Sequence, residues 1–160
     1  MALLVGDEVF EIAVRLEENG EAFYNAAAER ATTADVKSLF RDLAVQEQYH
    51  RRAFEGMASG KLDLTFTPEQ WEQFQAYADA LLRNEFFDRP GSALDRVADA
   101  GDQREALQAA LGFEKETLLF YYEIKDVVRG ADQEVIARIV QEEKQHILRL
   151  STVLAAISKR

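Results

Sequence analysis

Gln46-Glu47-Gln48-Tyr49-His50 places a glutamate and a histidine three residues apart, and Glu142-Glu143-Lys144-Gln145-His146 repeats that spacing ninety-six residues later. These two stretches hold both histidines of the 160-residue chain. On a helix, residues three apart share a face one turn from each other, so each pair aims two ligand-type groups the same way. Taken outward at steps of three and four, the first stripe reads Val36, Phe40, Leu43, Glu47, His50, Phe54, Met57. The second reads Ile136, Ile139, Glu143, His146, Leu150, Val153, Ile157. Both are apolar except in the middle. Two further stretches have the same form with one acid each: Phe10, Ala13, Glu17, Gly20, Tyr24, Ala27, and Leu107, Ala110, Glu114, Leu118, Tyr121.

Sparse turn signals set these stripes on four long helices. The first runs from about Asp7 to Arg30. Thr32, Thr33 and Asp35 offer N-caps for the second, which reaches about Ser59. Gly60 to Thr67 is a break. Thr67-Pro68-Glu69-Gln70 is a capping box with proline at the first helical position, and it opens a shorter helix to about Asn84. Asp88-Arg89-Pro90-Gly91-Ser92 is loop, followed by one helical turn near Leu94. Asp102-Gln103-Arg104-Glu105 caps the third long helix, with Gly130 as its left-handed C-terminal residue. Asp132 starts the fourth, which runs to about Ser158. No stretch alternates as a strand does. Tight turns make two antiparallel helix pairs, and a crossover of roughly forty residues containing a short helix joins them. The expected fold is an all-α four-helix bundle, one domain over residues 1–160.

Composition narrows the function. Asp and Glu number 29 against 19 Lys and Arg, a net charge of −10, which argues against nucleic acid or an anionic membrane surface as partner. With Cys at 0 there is no disulfide, thiolate metal site or redox dithiol. No apolar run approaches the ~18 residues of a membrane span. The residues from Met1 to Asp7 lack the basic start and cleavage site of a signal peptide, so the expected location is cytoplasmic.

Four carboxylates on core stripes demand partners. Desolvation costs several kcal/mol per ion, against a total stability of ~5–15 kcal/mol. No Lys or Arg lies on these stripes near the acids. Two divalent cations would neutralise the four acids, and the two imidazoles favour iron or manganese over calcium or magnesium. Zinc could occupy such a site in purified protein. The heights agree, since Glu17 lies about fourteen residues before the first turn and Glu47 about fourteen after it, ~21 Å each at 1.5 Å per residue. The pairs also resemble each other: Glu17, Phe23 and Tyr24 match Glu114, Phe120 and Tyr121 at an offset of 97, and Glu47 and His50 match Glu143 and His146 at 96.

This order of Glu, Glu-x-x-His, Glu, Glu-x-x-His over nearly the whole chain resembles the ferritin-like di-iron carboxylate proteins. Within them, Glu17-Glu18-Asn19-Gly20-Glu21-Ala22-Phe23-Tyr24 together with Glu47-Gln48-Tyr49-His50 looks like the rubrerythrin branch. The resemblance implies a metal site of Glu17, Glu47, His50, Glu114, Glu143 and His146. Glu17 and Glu114 would be terminal or semi-bridging, Glu47 and Glu143 bridging, and His50 and His146 capping. Tyr24 and Tyr121 would hydrogen-bond ligand carboxylates. Two departures stand out. Full-length rubrerythrins add a rubredoxin-like domain with four cysteines, so here electrons must come from another protein. They also carry an extra glutamate three residues after the third-helix ligand, where this chain has Thr117. The ligand set is closer to that of bacterioferritins and manganese catalases.

The leading expectation is a di-iron oxidoreductase that reduces hydrogen peroxide, or dioxygen, with electrons from a rubredoxin-like protein or flavoprotein. The alternatives are a ferroxidase or iron-storage protein and a metal-free structural bundle. A homodimer fits the enzyme and a large shell fits storage. Outside the site, Gly20 is read as a close-packing residue. Trp71, Phe74 and Tyr77 are read as covering the bundle or an interface, and Phe86 and Phe87 as core, with an interface as the alternative. Arg51 and Arg52 are read as a solvated face. Glu18, Glu21, Glu116 and Glu142 are read as surface acids, with Gln46 and Glu142 as alternative orienters of a ligand.

Overall fold

The computed structural model describes residues 4–60, 66–82 and 92–159. Six helices run in the order α1 (Leu4–Arg30), α2 (Ala34–Ala58), α3 (Pro68–Leu82), α4 (Ser92–Asp99), α5 (Gln103–Val127) and α6 (Ala131–Ser158). Helices α1 and α2 form one antiparallel pair and α5 and α6 the other, each closed by a three-residue turn. There is no strand among the described residues, and the chain is an all-α ferritin-like bundle. No helix among them is long and apolar enough to cross a membrane.

The caps show why the helices start where they do. Thr67 N–H donates to Gln70 Oε1 at 2.9 Å and Gln70 N–H to Thr67 Oγ1 at 3.2 Å, the reciprocal capping box. Asp102 Oδ1 likewise accepts from Glu105 N–H at 2.9 Å. At α2 the N-cap is Thr33, but its side chain makes no cap bond. Gln103 Oε1 accepts from Thr32 N–H at 3.1 Å and Thr33 N–H at 3.2 Å instead, so the start of α5 ties down the α1–α2 turn. Gly130 has the expected positive φ, 73°, but with ψ −150° it is the N-cap of α6 and not a left-handed end to α5. Only glycine adopts that backbone freely.

The crossover holds two helices where one helix and a turn were expected. Arg30 donates to the carbonyl oxygens of Val97 and Ala100, satisfying the C-terminal end of α4 and holding it on α1. Phe74 packs on Phe120, with ring centroids 5.9 Å apart, and stacks on Trp71. The aromatic face of α3 therefore covers the bundle. Phe86, Phe87 and the expected loop at 88–91 lie outside the described residues.

The apolar core falls into two clusters. One takes Val9 to Leu16 of α1, Phe54 and Met57 of α2, and Ile136 to Val140 of α6. The other takes Phe23 to Ala28 of α1, Val36 to Ala44 of α2, and Leu150 of α6. On each of these helices the acid, or the Glu-x-x-His pair, lies in the gap between the clusters. The inward stripes hold with one correction on α5. Thr117 is buried there, while Leu118 is only half-buried, as are Val153 and Ile157 near the end of α6.

Candidate metal centre

Glu17, Glu47, Glu114, Glu143 and His146 are fully buried, and His50 is 2% exposed. All six sequence-read residues meet. Ligand atoms of Glu17, Glu47, His50 and Glu143 lie within 4.8 Å of one another, as do those of Glu47, Glu114, Glu143 and His146. Glu47 and Glu143 belong to both groups.

The histidine orientations follow from their outer partners. His50 Nε2 lies 2.7 Å from Glu142 Oε2, and His146 Nε2 lies 2.6 Å from Gln46 Oε1. Both partners accept, so Nε2 carries the proton and Nδ1 faces the cluster. His50 Nδ1 is 2.9 Å from Glu143 Oε1, and His146 Nδ1 is 3.1 Å from Glu143 Oε2 and 3.2 Å from Glu47 Oε1. These approaches are close but lack hydrogen-bond direction. Both Nδ1 atoms, both oxygens of Glu47 and of Glu143, and Oε2 of Glu17 and of Glu114 have no hydrogen-bond partner. Eight buried polar atoms thus converge on shared space instead of pairing, an arrangement costly without cations and suited to two of them. The oxygen and imidazole donor set fits iron or manganese.

The tyrosines complete the cage crosswise. Tyr24 O–H donates to Glu114 Oε1, and Tyr121 O–H donates to Glu17 Oε1. Each hydroxyl thus fixes one carboxylate oxygen on the opposite helix pair, while the other, Oε2 of Glu114 and of Glu17, is buried without a hydrogen-bond partner.

Electrostatics shows the strain of the cation-free site. Burial, and then Glu17, Glu143 and Glu114, push Glu47 well above the usual carboxylate value. Burial and Glu143 raise Glu114 to about 8. Burial acts against Glu143 as well, but the imidazoles facing it hold its carboxyl below the ordinary value. Burial opposes charge on the histidines too, yet Glu17 with Glu142 and Glu143 raises His50, and Glu114, Glu143 and Glu47 raise His146. Burial, with Glu114 beside Tyr24 and Glu17 beside Tyr121, pushes both phenols upward, so they stay hydrogen-bond donors. Without cations, the site retains protons to limit its charge.

Gly20 is close-packed, as its sequence reading has it, and its neighbour is a candidate ligand: a Cβ there would stand 2.7 Å from Glu47 Oε2. Two surface readings do not hold. Glu21 accepts from Gln48 at 3.3 Å and pairs with Arg51 at 3.0 Å, so neither Glu21 nor Arg51 is a free surface charge. Thr117, the counterpart of Gly20 at the 97-residue offset, is 1% exposed with its hydroxyl unpaired.

Fold and site together define a helical-bundle protein with two buried carboxylate–histidine half-sites that share acids. The rubrerythrin family model matches residues 8–154, and the chain belongs to that family, which implies a di-iron centre. No curated protein and no solved structure matches the chain.

Proposed function

We propose that Glu17, Glu47, His50, Glu114, Glu143 and His146 hold two iron ions, and that the protein reduces hydrogen peroxide with electrons from an external donor. The sharing of Glu47 and Glu143 between two buried four-residue groups carries this reading. Glu17 and His50 would complete one half, and Glu114 and His146 the other. Four carboxylates would balance two divalent cations, which is the charge the buried site lacks. A bound iron pair supplies two electrons at one place, the number needed to take H₂O₂ and two protons to two waters.

The chain's own residues set the conditions for this. Residues at most 2% exposed exclude a bulky substrate. Tyr24 and Tyr121 hold Glu114 and Glu17 in place by hydroxyl donation. The Nε2–H bonds to Glu142 and Gln46 hold both imidazoles with Nδ1 inward. The electrons would come from a rubredoxin-like or flavin-bearing donor.

The test is a titration of metal-free protein with Fe²⁺, followed by anaerobic addition of peroxide. Saturation near two ions per chain, stoichiometric peroxide loss, and abolition of both by Glu47→Ala are expected. Uptake far beyond two would favour iron storage. No specific uptake would refute the metal site and leave a structural bundle.

A further inference from the structure

The two halves of the centre match almost residue for residue. Glu17 corresponds to Glu114, Tyr24 to Tyr121, Glu47 to Glu143 and His50 to His146. The hydrogen bonds match too, since each tyrosine reaches the acid of the other pair. Two correspondences break. Gly20 faces Thr117, which changes shape but not charge. Gln46 faces Glu142, and these two receive the Nε2–H bonds of the histidines. His146 donates to the Gln46 amide oxygen at 2.6 Å, and His50 donates to the Glu142 carboxylate at 2.7 Å.

We infer that the halves bind divalent cations unequally, and that the His50 half is the tighter because Glu142 backs its imidazole where only an amide backs His146. This rests on the two-cation reading above. An imidazole that donates Nε2–H to a carboxylate is the more electron-rich ligand at Nδ1, because negative charge behind the ring polarises it towards the cation. A neutral amide does this more weakly. The Glu142 side chain is 52% exposed, so its long-range field is screened by water, and its effect comes through the hydrogen bond. Glu142 and Gln46 are thus positioning residues, acting through the histidines. Removing such an outer partner costs 10–100-fold in metal affinity, and the exposure of Glu142 puts the expected difference near tenfold, about 1.4 kcal/mol.

The experiment is an anaerobic Co²⁺ titration of the metal-free protein, read by calorimetry and visible absorption. The wild-type protein should take two Co²⁺ ions in steps about tenfold apart. Glu142→Gln should weaken the first step about tenfold and leave the second in place. Gln46→Glu should strengthen the second and bring the steps together. The double exchange Gln46→Glu/Glu142→Gln should restore the split with the halves reversed. His146→Ala identifies them, removing the weaker step in the wild type and the tighter one in the exchanged protein. That restored split is a result which simple damage to the fold cannot produce. Steps unmoved by either single substitution, or an exchanged protein whose His50 half stays tighter, would overturn the inference while leaving the two-cation site standing. Absence of any Co²⁺ binding would overturn both.

Discussion

Substituting Gly20 by alanine isolates the geometry of the centre from the stability of the bundle. The added Cβ would lie 2.7 Å from Glu47 Oε2 and 3.0 Å from Phe113 Cε1, where ordinary contact begins at 3.4 Å. Glu47 Oε2 must therefore retreat by about 0.7 Å, more than three times the ~0.2 Å tolerance of a metal–ligand bond. In the cation-free protein that retreat is cheap, because the oxygen ends a flexible side chain and has no hydrogen-bond partner to lose. Alanine also gains about 0.5–1 kcal/mol over glycine inside a helix, which offsets the tighter contact with Phe113. The metal-free variant should melt within a few degrees of wild type. Its affinity for Fe²⁺ or Co²⁺ should fall tenfold or more at both halves, since Glu47 serves both. Melting by circular dichroism and a metal titration decide the matter. A variant that binds two ions with unchanged affinity would show that Glu47 is not a shared ligand. One that fails to fold would show that Gly20 packs against a rigid neighbour.

Three other outcomes are expected. Tyr24→Phe leaves Glu114 Oε1 without its hydroxyl donor, and Tyr121→Phe does the same to Glu17 Oε1. Each should destabilise the protein by ~1–3 kcal/mol in a urea titration, by equal amounts if the halves are equivalent in this respect. The metal-free protein should lose stability as pH rises. From 4.5 to about 8 the folded protein keeps a proton on Glu114 that the unfolded chain has released, and Glu47 acts in the same direction. The stability contributed by the raised histidines is complete below 6.5 and is lost as pH climbs through their folded values. Cations displace all these protons, so the gain in melting temperature on loading should widen between about pH 5.5 and about pH 8; a gain independent of pH would contradict the linkage. Gln103→Ala removes the acceptor shared by Thr32 and Thr33 N–H and should cost ~1 kcal/mol in the same urea assay, with metal binding unchanged.

The bundle was legible because each long helix carries one inward stripe and few residues break it. The capping box at Thr67 and the N-cap at Asp102 set helix starts by local chemistry alone, and both are present. What escaped depended on contacts distant in sequence. Eight residues such as Ser92–Asp99 give little helical signal by themselves. The carbonyls that end α4 are satisfied by Arg30, about seventy residues earlier. The start of α2 is held by Gln103, also about seventy residues away. Gly130 has the positive φ expected of it but opens α6 instead of closing α5, because a three-residue turn lets one glycine serve either helix.

The six ligand-type residues were legible for a different reason: an acid in an apolar stripe is too costly to be incidental. The tyrosines were legible as partners of those acids only through the family resemblance. Seven residues along a helix is ~10 Å, beyond hydroxyl reach of the glutamate on the same helix, so each tyrosine must bond an acid of another helix, and it is the structure that puts that acid on the other pair. The stripe as read from the sequence takes Leu118, yet the buried residue is Thr117. Helical periodicity cannot separate two adjacent candidates. The internal resemblance can, since Gly20, one turn after Glu17, projects onto Thr117, one turn after Glu114. The same projection sets Gln46 beside Glu142, so a duplicated sequence shows most plainly where its halves have stopped being copies. Here that place lies directly behind the two histidines.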